Sequence, residues 1–330
     1  MRQWILFFVI LILGGVGIGW WIKDSMNGKK VRPELILHVK DTNRINTIKI
    51  LDREGGRIHL YKENKEWYLN DHIPARHHAV TNLLKTLHDQ RVSALIPSAA
   101  KENVVKDLSS NSVRIALEDK KGKEIMTFYV GGVTPDERGT FMLKEGSEWP
   151  VIVGIPGFEG ALRNRYIMSE LEWQSRRLLP HLKEFHEIQL DYPTEQEYSL
   201  VIRKDGDGYS IASMYESDRK LFINRYVGEA YRDLMTELEA EAVLDPARIS
   251  SLKNSMPFCQ ILITDQEDEM TELRFYPTVW IDEPELAGRS FVERYYTIVN
   301  GNQLFLTQHA LMEKVFLSFD HFAAVSEDFQ

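Results

Sequence analysis

The run WILFFVILILGGVGIGWWI, from Trp4 to Ile22, carries no charged residue, and it constrains everything that follows it. At roughly 1.5 Å of rise per residue, such a run crosses the hydrocarbon core of a bilayer as one helix. The rival is a secretory signal peptide, whose apolar part is about 7–15 residues and ends at a small-x-small cleavage site. Here the run is longer and ends in Trp20-Trp21 before Lys23, with Trp4 at its other end, as interfacial aromatics stand in a membrane span. The expectation is an uncleaved single-pass anchor with a polar tether over residues 1–30, in contact with lipid. No cysteine directly follows the run, which excludes a bacterial lipoprotein. Gly15 and Gly19 have the G-x-x-x-G spacing that permits a homodimer through the span, although glycine is common in membrane helices for other reasons. Lys and Arg counts set orientation: Arg2 on the short side against Lys23, Lys29, Lys30 and Arg32 on the other favours a cytoplasmic body.

Beyond the anchor lie about 300 residues, enough for two domains that each bury a core. With 27% charged and 43% hydrophobic residues the balance is globular. The net charge of −9 argues against a general nucleic-acid binder, which carries a basic face. The single cysteine, Cys259, rules out an internal disulfide and a cysteine cluster for zinc.

The body reads as α+β. Alternation places Ile48 and Ile50, then Ile58 and Leu60, then Trp67 and Leu69 on one face of an antiparallel meander, separated by turns at Glu54-Gly55-Gly56 and Glu63-Asn64. Val80, Leu83, Leu84 and Leu87 follow at helical spacing, with Pro74 near the start. A short helix around 103–108 precedes strands through Val113, Ile115 and Leu117, then EIMTFYVGG, TFMLKEG and PVIVGIP. The second half repeats this order: Ile188 and Leu190, Leu200 and Ile202, Tyr209 and Ile211, a helical stripe over Val227, Ala230, Tyr231, Leu234, Met235 and Leu238, then FCQILITD, TELRFYP and a hairpin about Asn300-Gly301. The reading is an internal duplication, with halves at 31–162 and 181–330 and a helical linker at 163–180. In it Leu83-Leu84…Leu87 corresponds to Leu234-Met235…Leu238, and Val113…Ile115 to Cys259…Ile261.

No chemical constellation stands out. His72, His77 and His78 are the densest imidazoles, but adjacent residues on a helix point about 100° apart, and H-E-x-x-H is absent. Asp205-Gly206-Asp207-Gly208 lacks the further ligands of a calcium loop and reads as a hairpin turn. Asp265–Glu269 reads as a solvated loop, and Glu237, Glu239 and Glu241 as helix surface. Cys259, inside an apolar strand, reads as a core residue. GGVTPDERG is the first place for a site, with Gly131 and Gly132 offering backbone N–H groups and Asp136 and Arg138 offering charge, although no Walker or dinucleotide motif accompanies it. The bland reading is a connector. No G-x-S-x-G elbow occurs. The expectation is no enzyme, no cofactor and no metal.

Four stretches carry a family likeness: the anchor, ARHHAVTNLLKTLHDQRV, TFYVGGVTPDERGTFML, and PVIVGIPGFEGAL with the following EWQSRRLL. Together they resemble the bacterial family filed as domain of unknown function 4340, over most of the chain. The resemblance implies a single-pass protein of the bacterial inner membrane with its body outside the cytoplasm, opposite to the charge count. It also implies an accessory role, in some members associated with ABC-type transport or gliding-related systems. The expected function is an interaction subunit of an envelope complex, with a membrane-protein partner. The alternative is a binding module for a glycan, lipid or small molecule, and more remotely a hydrolase.

Overall fold

The computed structural model describes residues 35–327 except 217, 253, 279 and 283–289. The anchor residues Trp4, Gly15, Gly19, Trp20 and Trp21 lie outside the described residues. Among the described residues, no helix is long and apolar enough to cross a membrane. The chain divides into two compact units, the first from residues up to Asn70 with Val80–Met168, the second from Asp71–Ala79 with Ser169 onward.

The first half runs β1 (Thr47–Leu51), β2 (Arg57–Glu63), β3 (Glu66–Leu69), β4 (Ile73–Pro74), α1 (His77–Asp89), β5 (Arg91–Leu95), α2 (Ser98–Asn111), β6 (Val113–Glu118), β7 (Glu124–Val133), β8 (Thr140–Lys144) and β9 (Val151–Gly154). After the one-turn helix α3 (Glu170–Trp173), the second runs β10 (Phe185–Asp191), β11 (Leu200–Asp205), β12 (Gly208–Ser213), β13 (Lys220–Ile223), α4 (Arg225–Thr236), β14 (Ala242–Leu244), α5 (Ile249–Leu252), β15 (Cys259–Asp265) and β16 (Met270–Pro277). A small hairpin, β17 (Trp280–Asp282) and β18 (Ser290–Val292), is inserted before β19 (Arg294–Val299) and β20 (Gln303–Gln308). Two helices close the chain, α6 (His309–Met312) and α7 (Phe319–Glu327).

The two nine-stranded sheets share one topology. Their orders are β4-β3-β2-β1-β6-β7-β8-β9-β5 and β13-β12-β11-β10-β15-β16-β19-β20-β14. Strand by strand these are the same path, with β17–β18 as the insertion. Register agrees as well: Ile50 lies opposite Ile58 and Ile115, and Leu190 opposite Leu200 and Ile261. The α+β class and the two-half arrangement therefore hold. The alternation of these strands fixes the buried face, because a one-residue slip would turn every isoleucine to solvent.

Helix phase corrects one expectation. Val80, Leu83 and Leu87 are buried on α1, and Gly228, Tyr231 and Met235 on α4. Leu83 thus matches Tyr231, and Leu87 matches Met235, three residues earlier than the sequence pattern suggests. In the second unit Tyr231 and Met235 join Ile188, Leu190, Ile261 and Phe275 in one core, closed further by Phe319 and Phe322 of α7. On the opposite face Ile249 of α5 packs with Tyr276, Ile298 and Leu304.

The expected helical linker at 163–180 is mostly not helical. It holds a 3-10 turn at Arg163–Arg165 and the single turn of α3, while Tyr166, Trp173, Leu178 and Leu179 are buried. Its backbone bonds run to extended neighbours: Arg76 N–H donates to Trp173 carbonyl at 2.7 Å, and Ala240 N–H to Arg176 carbonyl at 2.7 Å.

Candidate interaction surface

Gly131 and Gly132 belong to β7 and do not open a loop. A Cβ on Gly131 would stand 2.6 Å from Leu108 Cδ2, so this glycine admits helix α2 onto the sheet. The following turn closes on itself. Thr134 N–H donates to Gly139 carbonyl at 2.8 Å and Glu137 N–H to Thr134 carbonyl at 2.8 Å. Gly139 N–H donates to Thr134 Oγ1 at 3.0 Å, and Arg138 N–H to Asp136 Oδ1 at 3.3 Å. The Thr134 hydroxyl also donates to Asp136 at 2.6 Å, which holds that carboxyl below its ordinary range. The amides of Thr134, Glu137, Arg138 and Gly139 thus bond within the turn.

The other singled-out residues stand as follows in the fold. The His77 and His78 rings lie 5.9 Å apart at 75°, His72 stands in a turn at φ +67°, and among the described residues no three metal-ligating side chains gather. Asp205–Gly208 is the β11–β12 hairpin, with Gly206 at φ +60°. Asp265 caps its own loop, accepting from Glu267 N–H at 2.8 Å and Glu269 N–H at 2.9 Å. Asp119 does the same for Lys121 at 2.8 Å and Lys123 at 2.9 Å, an Asx turn repeated at the matching place. Cys259 is buried in β15, and burial pushes its thiol up. Glu239 and Glu241 are not on helix surface, since α4 ends at Thr236. Glu241 instead accepts from Arg294 Nε at 2.7 Å, which lowers its carboxyl.

Exposed apolar side chains occur in both units, among them Leu95, Phe158, Met256 and Met270, and two aromatics, Phe222 and Tyr226, stand near one corner of the second unit. Gly228 lets the Tyr209 ring lie against α4, for a Cβ there would meet Tyr209 Cδ2 at 1.9 Å. Around that contact a cleft of 150 Å³ is lined by Glu184, Lys204, Asp207, Arg225, Glu229 and Arg232. Its charges largely compensate one another: Arg232 meets Glu184 at 2.6 Å, Lys204 meets Glu184 at 3.6 Å, and Arg225 meets Glu229 at 2.7 Å. A second cavity in the same unit, of 70 Å³ and lined in part by Gln174, Arg177, Val243 and Phe305, is also far below the roughly 300–1,000 Å³ of a small-molecule site. Both are too small to define a ligand.

Beside the ionic cleft runs β13, which ends the sheet order and, among the described residues, pairs with β12 alone. Phe222 on this strand is 65% exposed, and Tyr226 on the first turn of α4 is 74% exposed. Lys220 lies over the Phe222 ring at 4.8 Å. Asn224 caps α4 by accepting from Tyr226 N–H at 3.0 Å, which fixes where Tyr226 leaves the helix. Sequence reasoning passed over this strand. Its signal was there in Phe222 and Tyr226, two aromatics that fall outside the apolar stripe of the helix beside them.

Fold and surface together define the class: an α+β protein with two antiparallel nine-stranded sheets of matched strand order, and with exposed aromatics at one sheet edge. No family model, curated protein or solved structure matches the chain.

Proposed function

We propose that this chain is a membrane-anchored interaction subunit, an accessory component of a bacterial envelope complex with its body outside the cytoplasm. The observation that carries the reading is the open β13 edge with Phe222 and Tyr226 standing in solvent beside it. Exposed aromatics next to an unpaired strand edge are the features of a protein-docking surface. The apolar run at Trp4–Ile22 and the likeness to the family of domain of unknown function 4340 support the membrane address and the link to ABC-type transport or gliding-related systems. Co-purification of the full chain from gently solubilised membranes, with mass spectrometry, tests it. Envelope-complex subunits recovered in fixed ratio are the expected result, and recovery of the chain alone counts against it.

A second reading is a ligand-binding module, favoured by the first sheet. Tyr61 lies opposite Tyr68 with ring centroids 5.8 Å apart and near-parallel, and His59 lies 5.3 Å from Tyr61 on the same face. Burial and the Lys49 ammonium push the His59 imidazole down, which favours its neutral form, able both to donate and to accept. Such a stripe suits the stacked rings of a glycan. Binding of neutral oligosaccharides that disappears in Tyr61→Ala/Tyr68→Ala supports it, and no binding counts against it.

A further inference from the structure

We infer that β13 is a docking edge to which a partner protein adds an extended, acidic segment as a further strand of the second sheet. This rests on the interaction-subunit reading and names the mode and chemistry of the contact.

Three observations lead there. An edge strand turns alternate backbone N–H and C=O groups away from its neighbour, ready to pair with an incoming chain. Proteins blunt such edges by shortening them or by placing proline or lysine on them. The two halves of this chain differ at this point. The counterpart strand β4 has two residues and contains Pro74, whereas β13 keeps register with β12 from Lys220 to Ile223 and has no proline, its one edge charge being Lys220. The edge closed by proline and the edge that can still pair, marked by a cation, occupy the same place in one topology.

The side chains then set what fits. Phe222 and Lys220, two residues apart on one strand, share a face, so an apolar side chain of an added strand would lie beside the exposed ring. Charge selects the rest. Arg219, Lys220 and Arg225 stand near Glu216 and Asp218, on a chain whose net charge is −9. Arg219 is held by Asp320 and Glu216, and Arg225 by Glu229. The Lys220 ammonium, over the Phe222 ring, is the cation placed to meet an incoming carboxylate. The fitting partner segment alternates acidic with β-branched residues.

Fluorescence anisotropy with a labelled peptide of roughly six residues, alternating Glu with Val, tests this on the full chain in mild detergent. A Lys–Val peptide is the control. The Glu–Val peptide is expected to bind, to weaken at high salt, and to lose about tenfold or more in affinity in Lys220→Glu and in Phe222→Ser. Both positions are exposed, so the fold tolerates them. Hydrogen exchange is expected to slow at backbone amides of Lys220–Ile223 when the peptide binds. Equal binding of both peptides, indifference to both substitutions, or protection elsewhere overturns the inference. So does a concentration-dependent dimer that Phe222→Ser abolishes, because the edge would then be taken by a second copy. A native partner that co-purifies equally with wild type and with Lys220→Glu/Phe222→Ser overturns the β13 assignment and leaves the interaction reading standing. Peptide binding as described, with no partner recovered from membranes, supports the edge chemistry and counts against that broader reading.

Discussion

The Tyr231 hydroxyl donates to the Val315 carbonyl at 2.9 Å, tying α4 to the chain's closing segment. Two other tyrosines reach the same segment, Tyr192 to the Leu317 carbonyl at 3.3 Å and Tyr295 to His309 Nδ1 at 2.9 Å. Three phenols, on α4, on β19 and just past the end of β10, thus hold residues 309–317 over the second core. Tyr231→Phe removes one of two donors to the Val315 carbonyl, which keeps the Leu317 N–H at 2.9 Å. It is expected to cost about 0.5–1.5 kcal/mol, read as a lower urea midpoint with an unchanged slope.

The same hydroxyls make stability fall in alkali. Burial pushes the Tyr295 phenol from 10.0 up to about 12. The folded state therefore keeps a proton that the unfolded state releases, and ν_U falls below ν_N between those values. The contribution is intact below pH 10.0 and is lost as pH rises to about 12. Burial raises Tyr192 and Tyr231 too, which extends the decline upward. Unfolding free energy measured from about pH 9 to 12 is expected to drop, and Tyr295→Phe to drop less steeply.

Gly228 should not accept a methyl group. Glycine inside a helix ordinarily costs about 1 kcal/mol relative to alanine, so alanine usually stabilises. Here the added Cβ meets the Tyr209 ring at 1.9 Å. Gly228→Ala is expected to destabilise by about 3 kcal/mol. In a Tyr209→Ala background the sign should reverse, and thermal melts of the four combinations would show it.

The paired Asx turns predict opposite effects from one exchange. Gly122 sits at φ +74°, and Asp268 occupies the equivalent place at φ +61°. Asp268→Gly relieves a left-handed aspartate and is expected to add about 0.5–1 kcal/mol, while Gly122→Asp should subtract a similar amount. Chemical denaturation of the two variants checks the pair.

The strands were legible because alternation has a period of two and only one register buries Ile48, Ile50, Ile188 and Leu190 together. The Asp-Gly and Asn-Gly turns were legible for a local reason, since Gly206 and Gly301 adopt the positive φ that such turns need. Helix phase was not. Tyr231, Leu234, Met235 and Leu238 satisfy two overlapping stripes, and only the neighbours decide which one is buried. The linker misled because Trp173 and Leu178 have apolar spacing but place their backbone against extended chain, where Leu178 N–H reaches the Leu238 carbonyl at 3.0 Å. Glycine mattered at 131 for a reason no motif encodes, namely the space taken by Leu108 from a distant helix. The β13 edge, four residues long, is too short for a periodic pattern to establish itself.

Each sheet ends on a strand made long before its neighbour. Arg91 of β5 pairs with Gly154 of β9, and Ala242 of β14 pairs with Leu306 of β20. On the ribosome, β5 emerges with no mate and waits through α2, β6, β7 and β8 before β9 gives it one. Neither half can therefore finish in step with synthesis. Both completions come late and in separate events, so a stall within either half would leave a strand without its neighbour.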